Sequence, residues 1–212
     1  MYTLEQADQI SVVGPVIDSI VAQELGSRVS AIFWQHVDNT GFNGQIERGA
    51  LQAKFSDEPM TRIRNLTSNH LLLSPSDQLI ISGARQHLDA LIGERSYAKK
   101  TDSADFHFGT PRDGGWHIDG SRDIRLIVNL SSVPLTMLVA KDWDDSYFVN
   151  PSMVQVKPRI KPAKDKYTEI EYKPGEAVLV DNACERADQI PHAGVNAPDK
   201  VIMRMATSVA WT

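Results

Sequence analysis

The chain of 212 residues is long enough for one large domain, or a core with an added layer, and too short for a multidomain assembly. Its apolar share of 42% and charged share of 23% are those of a chain that packs a core. A net charge of −5 with scattered basic residues excludes the basic stripe that nucleic-acid binding needs, the single Cys184 excludes a disulfide framework or a Cys-based zinc site, and no run of about 18 apolar residues is present to cross a membrane.

The first residues, Met1 to Gln9, are polar and acidic and carry no signal-peptide pattern. A reducing cytoplasm is therefore the expected compartment. The expected partner is a small-molecule substrate, with no nucleic acid and no membrane, and nothing in the sequence states an oligomeric order.

Residues 1–103 read mainly as helix. From Leu4 to Leu25 the apolar residues Ile10, Val13, Val16, Ile17, Ile20 and Val21 fall at helical spacing, with Gly14-Pro15 marking a start or kink. Val29 to Val37 fits a helix or a buried strand. Pro75 to Ile92 gives the clearest helix. Ser74 stands at the N-cap, Pro75 at the first helical position, and Gly93 after the end; Leu79, Ile80, Ala84, Leu88, Leu91 and Ile92 form the expected apolar face. His87, beside that face, reads as packing.

From residue 104 the pattern changes to short β-branched and aromatic runs separated by Gly, Pro, Asp and Asn. Strands are expected near 104–109, 115–119, 124–131, 135–141, 146–149, 153–158, 167–172, 176–181, 190–194 and 201–210, as a sandwich or barrel. Lys157 to Lys166, broken by two prolines, reads as a solvated loop or edge strand.

Within this half lies Trp116-His117-Ile118-Asp119-Gly120. Side chains alternate along a strand, so His117 and Asp119 aim an imidazole and a carboxylate into one space while Trp116 and Ile118 face away. Alone the pair says little, since chance yields roughly half of one such pair at this composition. The bland reading is a surface His beside a turn-forming Asp. Further on come a Pro174-Gly175 turn, a buried run to Asp181, and His192 in Ile190-Pro191-His192-Ala193-Gly194. Two His and one carboxylate on one side of a metal leave positions open for cosubstrate and O2. Arg204 then sits inside the apolar run Val201 to Ala206. A buried Arg demands a partner, either a structural acid or a ligand carboxylate.

This order, His-x-Asp, a Pro-Gly turn with a buried strand, His-x-Gly, and an Arg a dozen residues later, resembles the Fe(II)/2-oxoglutarate-dependent oxygenases over residues 104–212. The resemblance implies a mainly β chain whose double-stranded β-helix core (jelly-roll, cupin-like) is buttressed by a helical N-terminal part, all in one domain spanning 1–212. It implies that His117, Asp119 and His192 bind Fe(II), that Arg204 binds the distal carboxylate of the 2-oxoglutarate cosubstrate, and that O2 is consumed. The product would be a hydroxylated small molecule, such as an amino acid or biosynthetic intermediate. Some members place a Ser two residues after the Arg, where this chain has Ala206; Ser208 is next on that face. Thr136 is the candidate for a hydroxyl from a neighbouring core strand.

Two other readings stay open: a cupin-like metal enzyme without 2-oxoglutarate, with His107 as a spare ligand, and a non-catalytic jelly-roll binding module. His107 otherwise reads as a strand residue. Asp142, Asp144 and Asp145 around Trp143 read as a solvated acidic turn or a lid for a cationic substrate. Arg125 and Asn129 share a face and could border the cavity.

Overall fold

The computed structural model describes residues 9–39, 73–93, 97–100, 104–108, 116–118, 123–141, 164–184, 189–194 and 200–209. These form β1 (Ile10–Pro15), α1 (Ser19–Asn39), α2 (Pro75–Ile92), β2 (Tyr97–Lys100), β3 (Asp105–Phe108), β4 (Asp123–Asn129), β5 (Leu135–Ala140), β6 (Tyr167–Tyr172), β7 (Glu176–Asp181), β8 (His192–Gly194) and β9 (Val201–Val209). The expected strands at 146–149 and 153–158 and the acidic segment 142–145 lie outside the described residues. Lys164–Lys166 is a short exposed 3-10 turn leading into β6.

Two antiparallel sheets face each other as a β-sandwich. The larger has six strands in the order β1-β7-β4-β9-β2, with β3 also paired to β9; the smaller runs β6-β5-β8. The near-continuous apolar sequences of β4 and β9 follow from their central place, because both faces of the larger sheet are covered. One face presents Leu126, Val128, Ala177, Met203 and Met205 to Ala22, Leu25 and Val29 of α1 and to Ala84 and Leu88 of α2. The other presents Ile127, Val178, Val180 and Ile202 to Leu135, Met137, Val139 and Tyr172 of the smaller sheet. Single-residue alternation along each strand sorts the two cores.

The strands foreseen between 104 and 209 recur within a residue or two wherever the chain is described, except that the one expected at 115–119 is represented among residues 116–118 only by an isolated bridge at His117. The first half departs from its expected helices in two places. Ile10–Pro15 is a strand paired with β7, and the helix begins only at Ser19, where the Asp18 carboxylate accepts from the amides of Ile20 at 3.0 Å and Val21 at 3.2 Å. A six-residue edge strand gains more from the β7 ladder than one isolated helical turn ahead of Gly14 could supply. Tyr97–Lys100 likewise adds to β9. Val29 to Val37 resolves as helix within α1.

Helix α2 starts and stops as its sequence says: Ser74 Oγ accepts from the Asp77 amide at 3.1 Å, and the Gly93 amide bonds Asp89 O at 3.1 Å. Its buried stripe differs from the expectation. Asp77, Ala84, Arg85, Leu88 and Ile92 are buried, whereas Leu79 and Leu91 are exposed. Leu79 lies half a turn from Leu88 around the helix, and Arg85 occupies the stripe because it bonds Thr207 Oγ1 at 2.6 Å and Ala206 O at 3.2 Å on β9. Arg28 of α1 grips Asp77 through two nitrogens at 2.6 and 3.2 Å. Burial alone would raise the Asp77 carboxyl, but bonds from Arg28 and Ser74 overrule it and hold the group below its ordinary range.

Two glycines fix how the layers meet. Gly26 lies so close to Leu130 O that any Cβ there would collide with backbone. Gly175 has φ 83°, as the Pro-Gly turn requires. That turn also joins layers: its amide donates to Asn129 O at 2.8 Å, and its carbonyl accepts from Val16 N at 2.9 Å and Ile17 N at 3.1 Å.

Candidate metal centre

His192 opens β8, where its Cα partner is Val139 on β5. Val139 belongs to the core between the sheets, so His192 also faces that space. The segment 116–118 adds to the free edge of β8 through one antiparallel bridge between His117 and His192, each amide donating to the other's carbonyl at 2.9 Å. Directly opposed residues point the same way. The two imidazoles accordingly stand side by side, centroids 4.5 Å apart and planes tilted by 55°.

Trp116 turns to the opposite face, as alternation dictates. It is buried there against Tyr167, with ring centroids 5.8 Å apart. This pair anchors the short segment that presents His117.

His192 is 3% exposed. Burial, followed by the charges of His117 and Arg125, lowers its pKa to about 3, against a raising contribution from Ile190 O. That carbonyl lies 3.1 Å from Nδ1 and can only accept. Nδ1 therefore carries the proton and Nε2 the lone pair, which is the tautomer a metal ligand needs. A neutral ring with a carbonyl-fixed tautomer beside a second imidazole fits a divalent metal. Asp119 lies outside the described residues, so the structure brings together two of the three expected ligands; among the described residues no group of three His, Cys, Asp or Glu side chains is close enough to hold an ion.

Arg204 is placed by register. It pairs with Ile127 of β4 and follows Ile202 by two residues, so its side chain leaves β9 on the inter-sheet face. Its Cα partner on β3 is Asp105. His107 shares the face of Ile202 and is partly exposed. Ala206 pairs with Arg125, whose guanidinium bonds Asp123 Oδ2 at 2.9 Å.

One expectation does not hold in this geometry. Thr136 pairs with the exposed Glu171, between buried Leu135 and Met137, so its hydroxyl leaves β5 on the side away from His192. A one-residue offset decides the face, and the sequence alone did not fix it. Asn129 is a structural knot: it donates to Val133 O at 2.9 Å and Tyr172 O at 3.0 Å and accepts from Ser131 N at 2.8 Å. One basic residue went unforeseen. The Lys200 ammonium lies 2.9 Å from where a Cβ on Gly194 would stand. Its only sequence signal is its place two and four residues ahead of Ile202 and Arg204.

No family model matches the chain, and no curated protein matches it. Solved structures do. The apo form of the non-heme monooxygenase ThoJ superposes over 96% of this chain and 75% of its own, with 13% identity and a TM-score of 0.54. At that identity the likeness speaks to the fold, which the two share. YcfD, a ribosomal oxygenase from Escherichia coli in complex with cobalt and 2-oxoglutarate, gives 14% identity and a TM-score of 0.39 over 65% of this chain and 29% of its own. The chain thus spans under a third of YcfD. Among the described residues no helix is long and apolar enough to cross a membrane.

Proposed function

We propose that this chain is an Fe(II)- and 2-oxoglutarate-dependent oxygenase that hydroxylates a small molecule. In this reading the sandwich is the double-stranded β-helix core, residues 104–212 carry the site, and the helices support it. The observation that carries the reading is the bridge between His117 and His192, which sets two imidazoles side by side on the inner face of one sheet while Arg204 leaves the inner face of the other.

His117, His192 and Asp119 would hold the iron. Bound Fe(II) with 2-oxoglutarate supplies the oxidising power to split O2, one atom going to succinate and the other to a substrate C–H bond. The protein's own share is placement. Ile190 O fixes the His192 tautomer, and burial keeps that ring neutral and ready to ligate. Trp116 against Tyr167 holds the His117 segment to the sheet. The Arg204 guanidinium offers a planar pair of donors suited to the far carboxylate of the cosubstrate. The apolar wall of Ile127, Val139, Val178 and Ile202 excludes water from the cleft. Asp119 also speaks against halogenation, because a retained carboxylate occupies the position a halide would need.

Anaerobic titration of the iron-loaded protein with 2-oxoglutarate tests this. The visible charge-transfer band of the chelate is expected in the wild type and absent in His117→Ala. Metal binding without the band would remove 2-oxoglutarate from the account. Failure to bind metal at all would make the two histidines structural.

A further inference from the structure

Helix α2 meets the larger sheet through an arginine. Arg85 is 7% exposed and sits in the buried stripe with Ala84 and Leu88, against β9. One of its terminal nitrogens donates to Thr207 Oγ1 at 2.6 Å and the other to Ala206 O at 3.2 Å. Asp89, one turn further along α2, forms an ion pair with its Nε at 3.3 Å. The point of attachment is a junction in the sheet. On the edge of β9 away from β4, β3 pairs with Val201 to Arg204 and β2 with Thr207 to Val209. Arg85 reaches β9 where one of these strands hands over to the other.

A charged side chain buried between helix and sheet is weak support for stability, since an apolar residue of similar volume in its place is often neutral or better. What the guanidinium adds is direction. Its planar fork holds a side chain and a main-chain carbonyl of consecutive residues at once, which limits how the strand can rotate or slide. Alternation puts Met203, Met205 and Thr207 on the helix side of β9 and Arg204 and Ala206 on the cleft side. A rotation of β9 at 206–207 is therefore passed on to the side chain of Arg204. A two-point grip on a carboxylate tolerates only about 0.5 Å of error.

We propose that Arg85 is a positioning residue, which from the far side of the sheet fixes the rotation of β9 and thereby the aim of Arg204 into the cleft. The inference rests on the oxygenase reading for what Arg204 grips, the far carboxylate of 2-oxoglutarate. A helix that lends no side chain to the site then sets how well the site tells a keto diacid from a keto monoacid.

The test uses the full chain loaded with redox-inert Zn(II), as wild type, Arg85→Met and Arg85→Lys. Calorimetry measures zinc affinity and the preference for 2-oxoglutarate over 2-oxobutyrate, which chelates alike but lacks the far carboxylate. Hydrogen exchange follows the amides of β9. Arg85→Met is expected to fold, to bind zinc as the wild type does and to exchange faster at 204–207. Its preference for 2-oxoglutarate should fall about tenfold. Arg85→Lys, which can still reach one of the two acceptors, should retain part of it. Unchanged exchange in β9 overturns the inference. So does faster exchange with the preference intact, which would make the contact structural only. Equal losses of zinc affinity and preference overturn it too, because they report general loosening. Wild-type protein without a preference for 2-oxoglutarate sinks the oxygenase reading and with it the link to Arg204, while hydrogen exchange still judges the hold of Arg85 on β9. Should Arg85→Met fail to fold, Thr207→Val removes one acceptor and keeps the shape of the side chain. It is expected to move exchange and preference in the same direction by a smaller factor.

Discussion

The two faces of the larger sheet are built from the same strands and do different work. Against the helices, β4, β7 and β9 present mainly apolar side chains, Leu126, Val128, Ala177, Met203 and Met205 among them, with Thr207 bonded by Arg85 of α2. Against the smaller sheet, the alternate residues of β4 and β9 include Arg125, Asn129 and Arg204 among Ile127 and Ile202. Stability is concentrated on the first face and chemistry on the second. A residue's parity within its strand, and not its neighbours in sequence, decides which of the two it serves.

Mutations on each side should separate these roles. The largest effect is expected at Gly26→Val, whose branched side chain would have to displace the Leu130 backbone; loss of cooperative folding by circular dichroism is the expected outcome, and an unaltered melt would refute the close approach of α1. Leu126→Ala, on the helix-packed face, should cost about 3 kcal/mol in urea unfolding while leaving metal affinity alone. If it instead weakened metal binding in protein still folded, the separation of the faces would break down.

On the other face the expected effect is one of pH. The folded His192 pKa, about 3, lies below the ordinary 6.5. The unfolded chain therefore binds the extra proton first as pH falls, and stability declines from about pH 6.5 downward. Metal-free protein should lose of order 1 kcal/mol between pH 6.5 and 5, and His192→Gln should flatten that slope. Parallel profiles for the two proteins would assign the slope elsewhere. Asp77 does not confuse the reading, because its lowered carboxyl gives up stability only below its ordinary 3.8. The smallest effect belongs to neither face: Arg28→Gln, at a partly exposed ion pair between the helices, should cost less than about 1 kcal/mol.

Much of the second half was legible because strand alternation is a local rule. It placed His117 apart from Trp116, and turn residues marked most strand ends. The first half misled where local spacing had two solutions. Ile10, Val13, Val16 and Ile17 fit a helix on paper, but the free edge of β7 lies elsewhere in the chain and outbids it. Thr136 failed by parity alone. Leu79 and Leu91 looked like core because they are leucines, yet the buried stripe is set by where β9 crosses, which also explains the buried Arg85.

The bridge between His117 and His192 makes the last strand pairing of the smaller sheet and the assembly of the two imidazoles a single event. An ion shared by both rings would cross-link distant parts of the chain, and mass action would then raise the free energy of unfolding with every increase of free metal above its dissociation constant. The melting temperature of such a protein becomes a gauge of how much metal its surroundings hold.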